Sequence, residues 1–195
     1  MDSRQLEELM VQTLEHEVCG VKVYEAALTS VVNHGLREEW SEHLEATRQQ
    51  VELLKRVCWA LRIDATNDTP SRLIIRENGN ALISTIQAAK RDADAPAAQL
   101  LACETVVIAE TMIQTAWQVL TRCAPLVKGD GAQLLEEACA VRAALDGERL
   151  RHAKGWCREL WLESLGVKAN LPPPEVRRRT TRSKRRAVRS ASSRR

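Results

Sequence analysis

Apolar side chains recur along this chain at steps of three and four residues, the period of helices that bury one face. Over residues 3–32, Leu6, Leu9, Met10, Thr13, Gly20, Val21, Tyr24, Leu28 and Val31 trace one such face. Asp2 or Ser3 can cap its first turn, and Asn33-His34-Gly35 can end it. Glu17 falls inside the stripe, so its carboxylate needs a cation, a proton or a cavity. A second helix over 36–63 carries Trp40, Leu44, Thr47, Val51, Leu54, Cys58 and Leu61, with His43, Gln50 and Val57 widening the stripe. The short link between the two makes them an antiparallel pair.

Residues 64–95 form the longest connection. Asn67-Asp68-Thr69-Pro70 reads as a helix start, and a weaker helix over 71–90 follows, interrupted near Asn78-Gly79-Asn80. Twenty helical residues at ~1.5 Å each span about 30 Å, enough to carry the chain from one end of a bundle to the other. A third long helix starts at Asp94-Ala95-Pro96 and stops at Ala124-Pro125, apolar almost all round except for Glu104 and Glu110. The fourth begins after Gly129-Asp130-Gly131 and runs to Leu165, with Gly166 as its terminator. Its stripe (Leu134, Ala138, Val141, Leu145, Trp156) continues through Glu148 and His152, one turn apart. The pattern predicts an all-α, ferritin-like four-helix bundle with a long helical crossover between the second and third helices. The predicted bundle covers residues 1–170, and 171–195 form a Pro-led, Arg-rich disordered tail.

Composition changes the picture in two ways. There is no Phe, with one Tyr and five Trp, so the core must be packed by Leu, Val, Ile and Ala, which suits helix-on-helix contact. The net charge of +3 hides an asymmetry: residues 175–195 hold ten Lys or Arg and one acid, whereas the rest holds nineteen basic residues against twenty-five acidic ones. An acidic body with a basic tail has two parts to explain. The six cysteines show no C-x-x-C pair, which fits reduced thiols in the cytoplasm. The first residues lack an apolar signal core, and no run approaches the ~18 apolar residues of a membrane span. Cytoplasmic localisation is therefore expected.

Counting from the helix ends puts Glu17, Gln50, Glu52, Glu110 and Glu148 at one depth. Glu25, His43, Glu45, Glu104 and His152 fall one to two turns nearer the end where the first two helices join. Carboxylate oxygens with imidazole nitrogens suit iron or manganese, and di-metal bundles draw single Glu ligands from two helices and Glu-x-x-His from the other two. Glu17, Glu104, Glu110, Glu148 and His152 are the candidate ligands of a di-iron or di-manganese centre. The second and fourth helices depart from the pattern: Glu148 and His152 stand at i, i+4, Arg149 holds the i, i+3 place after Asp146, and no Glu precedes His43 by three. The other reading of these residues is a histidine bonded to a neighbouring acid and carboxylates paired with arginine, with Glu25, Glu45 and Glu52 on the surface.

The run Glu42-His43-Leu44-Glu45-Ala46-Thr47-Arg48-Gln49-Gln50-Val51-Glu52-Leu53-Leu54 resembles a segment of the YciE/YciF-type ferritin-like proteins. The likeness extends over about residues 5–165 and includes the element order and acids at Glu17 and Glu104. It implies a ferritin-like fold, association with stress and a metal-handling role. Thr105 after Glu104 and Ala140-Val141-Arg142 on the fourth helix depart from the group's pattern.

In the tail, Arg177, Arg178, Arg179, Arg182, Lys184, Arg185, Arg186 and Arg189 are candidate contacts for nucleic acid, binding DNA or RNA phosphates without sequence preference. No aromatic residue is interleaved for stacking on bases. Three functions stay open: an iron- or peroxide-handling metal protein; a metal-free helical module, perhaps-oligomeric by its own bundle, that binds nucleic acid through its tail; and a ferritin-like scaffold kept for protein contacts, including a homo-oligomer.

Overall fold

The computed structural model describes residues 2–143 and 147–176, and these are all-α. The basic residues 177–195, with every tail contact predicted above, lie outside the described residues. Six α-helices follow one another: α1 (Ser3–Leu28), α2 (His34–Ala60), α3 (Pro70–Asp92), α4 (Ala95–Cys123), α5 (Ala132–Ala143) and α6 (Glu148–Ser164), with a 3-10 turn at Ala124–Leu126. Asp2, Asn33, Thr69 and Asp94 cap the first four helices by accepting backbone N–H groups, and Pro70 and Pro96 occupy first-turn positions.

Cross-helix contacts set the directions. Tyr24 meets His43 and Glu25 meets Arg48, so α1 and α2 run antiparallel. Glu17 meets Trp117 and Tyr24 meets Glu110, so α4 is also antiparallel to α1. Glu15 pairs with Arg72 and Arg76 while Cys19 reaches Ile75, which sets α3 parallel to α1. The crossover helix thus returns the chain to the end where α2 began, and α2 and α4 run parallel. Glu104–Trp161 and Cys103–Ala153 contacts make α6 antiparallel to α4. α3 lies in the groove between α1 and α4.

Two expectations change. α3 is unbroken through Asn78-Gly79-Asn80. Gly79 serves close approach instead of a break, since a Cβ there would stand 2.4 Å from Cys19 Sγ. The fourth helix is not continuous: α5 ends at Ala143, and Gly147, at φ +69°, opens α6 in the left-handed region that glycine tolerates. Residues 171–176, placed in the tail by sequence, fold back on α6. Leu171 and Val176 pack on the core, Glu175 accepts from Arg158, and Asn170 N–H donates to Glu159.

α4 packs against α1, α3, α5 and α6, which explains its near-complete apolarity. Among the described residues it is the one helix long and apolar enough to cross a membrane by length and composition, at mean hydropathy 1.3. The core consists of two apolar clusters, one around Tyr24, Trp40 and Trp156 and the other around Leu14, Leu54, Trp117 and Leu135. Between them run Glu17, Thr47, Gln50, Glu110, Arg142 and Arg149, all buried.

Candidate metal centre

A helix repeats its face after four and seven residues, so Glu39, His43, Thr47 and Gln50 point from α2 into the bundle. On α6, Glu148, His152 and Trp156 do the same from the opposite side. The two sets meet at Glu39, His43 and His152, which are 7%, 7% and 2% exposed. One donor atom from each lies within 4.8 Å of the other two, a group that could hold a metal ion.

The polar atoms around that point fix which donors face it. Glu39 Oε1 is 2.8 Å from His152 Nδ1 and 3.9 Å from His43 Nε2. Its other oxygen, Oε2, accepts the Trp156 indole N–H at 2.8 Å. Burial alone would raise the Glu39 carboxyl, but the His152 and Trp156 hydrogen bonds and the nearby imidazoles hold it below its ordinary value. An ionised carboxylate only accepts, so His152 Nδ1 carries the proton of this bond. Tyr24 donates its hydroxyl hydrogen to Glu110 Oε1 at 2.8 Å and leaves its oxygen to accept from His43 Nδ1 at 3.3 Å. His43 Nε2 then keeps its lone pair facing Glu39. Glu148 Oε1, half-buried, lies 3.8 Å from His152 Nε2.

One layer below, acids meet arginines. Trp117 Nε1–H donates to Glu17 Oε1 at 2.6 Å, and Arg149 donates to Thr47 Oγ1 at 3.0 Å. Arg142 Nη2 lies 3.8 Å from Glu110 Oε2. Burial raises the Glu17 carboxyl, opposed by Arg142, Arg149 and the Trp117 bond. Glu17 Oε2 and Glu110 Oε2 lack protein hydrogen-bond partners, as do Arg142 Nε and Nη1, Arg149 Nη2 and Gln50 Oε1. Buried donors and acceptors left over side by side are the setting in which ordered water is found.

Of the five ligands predicted from sequence, His152 belongs to the converging group and Glu148 stands behind it. Glu17 and Glu110 are buried in the arginine layer, and Glu104 turns outward to accept from Trp161 at 2.9 Å. Among the described residues no second group of ligands for a di-metal centre is present. Glu25 and Glu52 are exposed and paired with Arg48 and Lys55, and Glu45 is exposed. Sequence reasoning missed Glu39. Its signal is the spacing Glu39-x-x-x-His43, which repeats that of Glu148-x-x-x-His152.

Comparison of the chain with family models, curated proteins and solved structures found no match.

Proposed function

We propose that this chain is a ferritin-like bundle that binds one first-row divalent ion, iron or manganese, for iron or peroxide handling, with Glu39, His43 and His152 as the ligands. The observation that carries the reading is the way the group is tied from behind. Each ligand's remaining polar atom faces a named partner: Trp156 for Glu39, Tyr24 for His43 and Glu148 for His152. Metal-binding imidazoles are held in this manner, which fixes ring orientation and tautomer. Two imidazoles and a carboxylate leave coordination positions open, as iron sites that meet oxygen species require, and the same donors suit zinc. On this reading His152 exchanges tautomer on binding: Nδ1 gives up its proton to ligate, and Nε2 carries one toward Glu148.

The arginine layer favours one ion over two. Glu17 and Glu110, the acids a second ion would need, already share their surroundings with two buried guanidinium groups. Anaerobic loading of the chain with Fe(II), Mn(II) or Zn(II) is expected to retain about one ion per chain. His152→Ala is expected to weaken retention by at least about 100-fold. Two ions per chain would restore the di-metal reading, and less than about half an ion, unchanged in the variant, would leave the bundle metal-free.

A second reading rests on the ten basic residues at 175–195. They bind nucleic acid through its phosphates, and deleting 177–195 is expected to abolish a salt-sensitive gel shift of duplex DNA. Equal binding by the truncated chain would overturn it.

A further inference from the structure

Four of the six cysteines fall into two cross-helix pairs: Cys103 with Cys157, between α4 and α6, and Cys123 with Cys139, between α4 and α5. The pairs differ in kind. The Cys103 and Cys157 thiols are hydrogen-bonded to each other, whereas Cys139 takes its side-chain hydrogen bond from Thr121. Cys103 is fully buried, with Sγ 3.8 Å from the carbonyl of Ala153, one turn before Cys157 on α6. Cys157 is half-exposed, so one thiol of the pair is open to reagents and the other waits behind it.

We propose that Cys103 and Cys157 are a peroxide-sensing dithiol that closes to an intramolecular disulfide joining α4 to α6. Contact with Cys103 holds the Cys157 thiol below its ordinary value although burial works the other way. The same contact, with burial, pushes Cys103 well up. The exposed member is thus the thiolate, which is the nucleophilic form. Its sulfur attacks one oxygen of a hydroperoxide, the O–O bond breaks, and hydroxide or alkoxide leaves to give a sulfenic acid on Cys157. Cys103 sulfur then attacks Cys157 sulfur, the S–O bond breaks, and the sulfenic oxygen leaves as water with the Cys103 proton. The two sulfurs are oxidised together by two electrons, and one peroxide is reduced. The disulfide would fasten α6, which carries His152 and Trp156, to the central helix. The dithiol stands on its own geometry and needs no metal.

The test is treatment of the full chain with hydrogen peroxide in the presence of a chelator, followed by peptide mapping. Expected is a single intramolecular bridge between the Cys103 and Cys157 peptides that dithiothreitol reverses. In Cys103→Ser, dimedone should trap a sulfenic acid at Cys157, and Cys157→Ser should form no bridge. A bridge between Cys123 and Cys139 alone, or bridges only between chains, would overturn the proposal. So would wild-type chain that remains fully reduced at peroxide levels that oxidise free cysteine. Because Cys103 is a core residue, dimedone labelling of the wild-type chain early in the reaction provides a readout that does not depend on the variants: label at Cys157 supports the order given, and first label elsewhere contradicts it.

Discussion

Arg142→Met is expected to destabilise the folded chain by about 3–5 kcal/mol at neutral pH, because it strips a cation from two buried carboxylates. A domain of this size is stable by only about 5–15 kcal/mol, so the variant should stand near the limit of folding. Arg142 is 4% exposed, sits 3.8 Å from Glu110 Oε2, and is the largest of the influences that oppose burial at Glu17. Methionine fills much of the same volume, so the loss reports charge more than shape. The added change Glu110→Gln should recover part of it, since a neutral amide no longer needs the guanidinium, and the recovery is partial because Glu17 still does. Urea unfolding of the single and double variants measures the coupling, and simple additivity would show that the pair does not interact. The pH dependence has a definite sign. A carboxyl raised in the fold favours folding below its ordinary value of 4.5, and that contribution disappears as pH climbs through the raised value. Removing Arg142 raises Glu17 further, so the gap between variant and wild-type chain should widen as pH rises from about 5 to about 8.

The long helices were legible in the sequence because each has a wide apolar stripe bounded by a capping residue or proline. The Asp94-Ala95-Pro96 start of α4 and the capping sequence before Pro70 are found where they were read. The buried place of Glu17 was legible too, since its neighbours at helical spacing are apolar. What escaped was the partnership between faces. Glu39 lies beside Trp40 and Glu38 in a charged run, and its inward direction follows only once Leu36, Glu39 and His43 are recognised as one line on α2. A search for Glu three residues before His passed over a spacing of four that occurs on both α2 and α6. Arg142 and Arg149 looked like departures from a ligand pattern. In the fold they are buried counter-charges of the acids on α1 and α4, a role that no local pattern announces because it depends on helices more than a hundred residues apart. The break at Gly147 was hidden for a related reason: one glycine within an otherwise periodic stretch is compatible with a continuous helix, and only its positive φ separates α5 from α6.

The same geometry makes Glu39→Ala the most informative change at the centre. The variant leaves the Trp156 indole N–H and the His152 Nδ1–H without their acceptor in a buried place. Each stranded donor costs about 1–3 kcal/mol, so a total near ~4 kcal/mol is expected in metal-free chain. Glu39→Gln offers one oxygen but turns an amide NH₂ toward the other donor, and should retain only part of that stability. In the wild-type chain the Glu39 carboxyl is held below its ordinary value. Its contribution is therefore present above 4.5 and lost as pH falls through the depressed value. Both variants should lack that part of the acid transition. Added metal separates the structural role of Glu39 from its role as a ligand. At a concentration a hundred times its dissociation constant, an ion bound to the native chain stabilises it by about 2.7 kcal/mol. Thermal or urea unfolding with Mn(II) should show that gain in the wild-type chain and none in Glu39→Ala. A gain that survives in Glu39→Ala would place the ion elsewhere. Equal stability of the two metal-free chains would mean that the histidine and tryptophan donors find other acceptors, and that the carboxylate does not organise the centre.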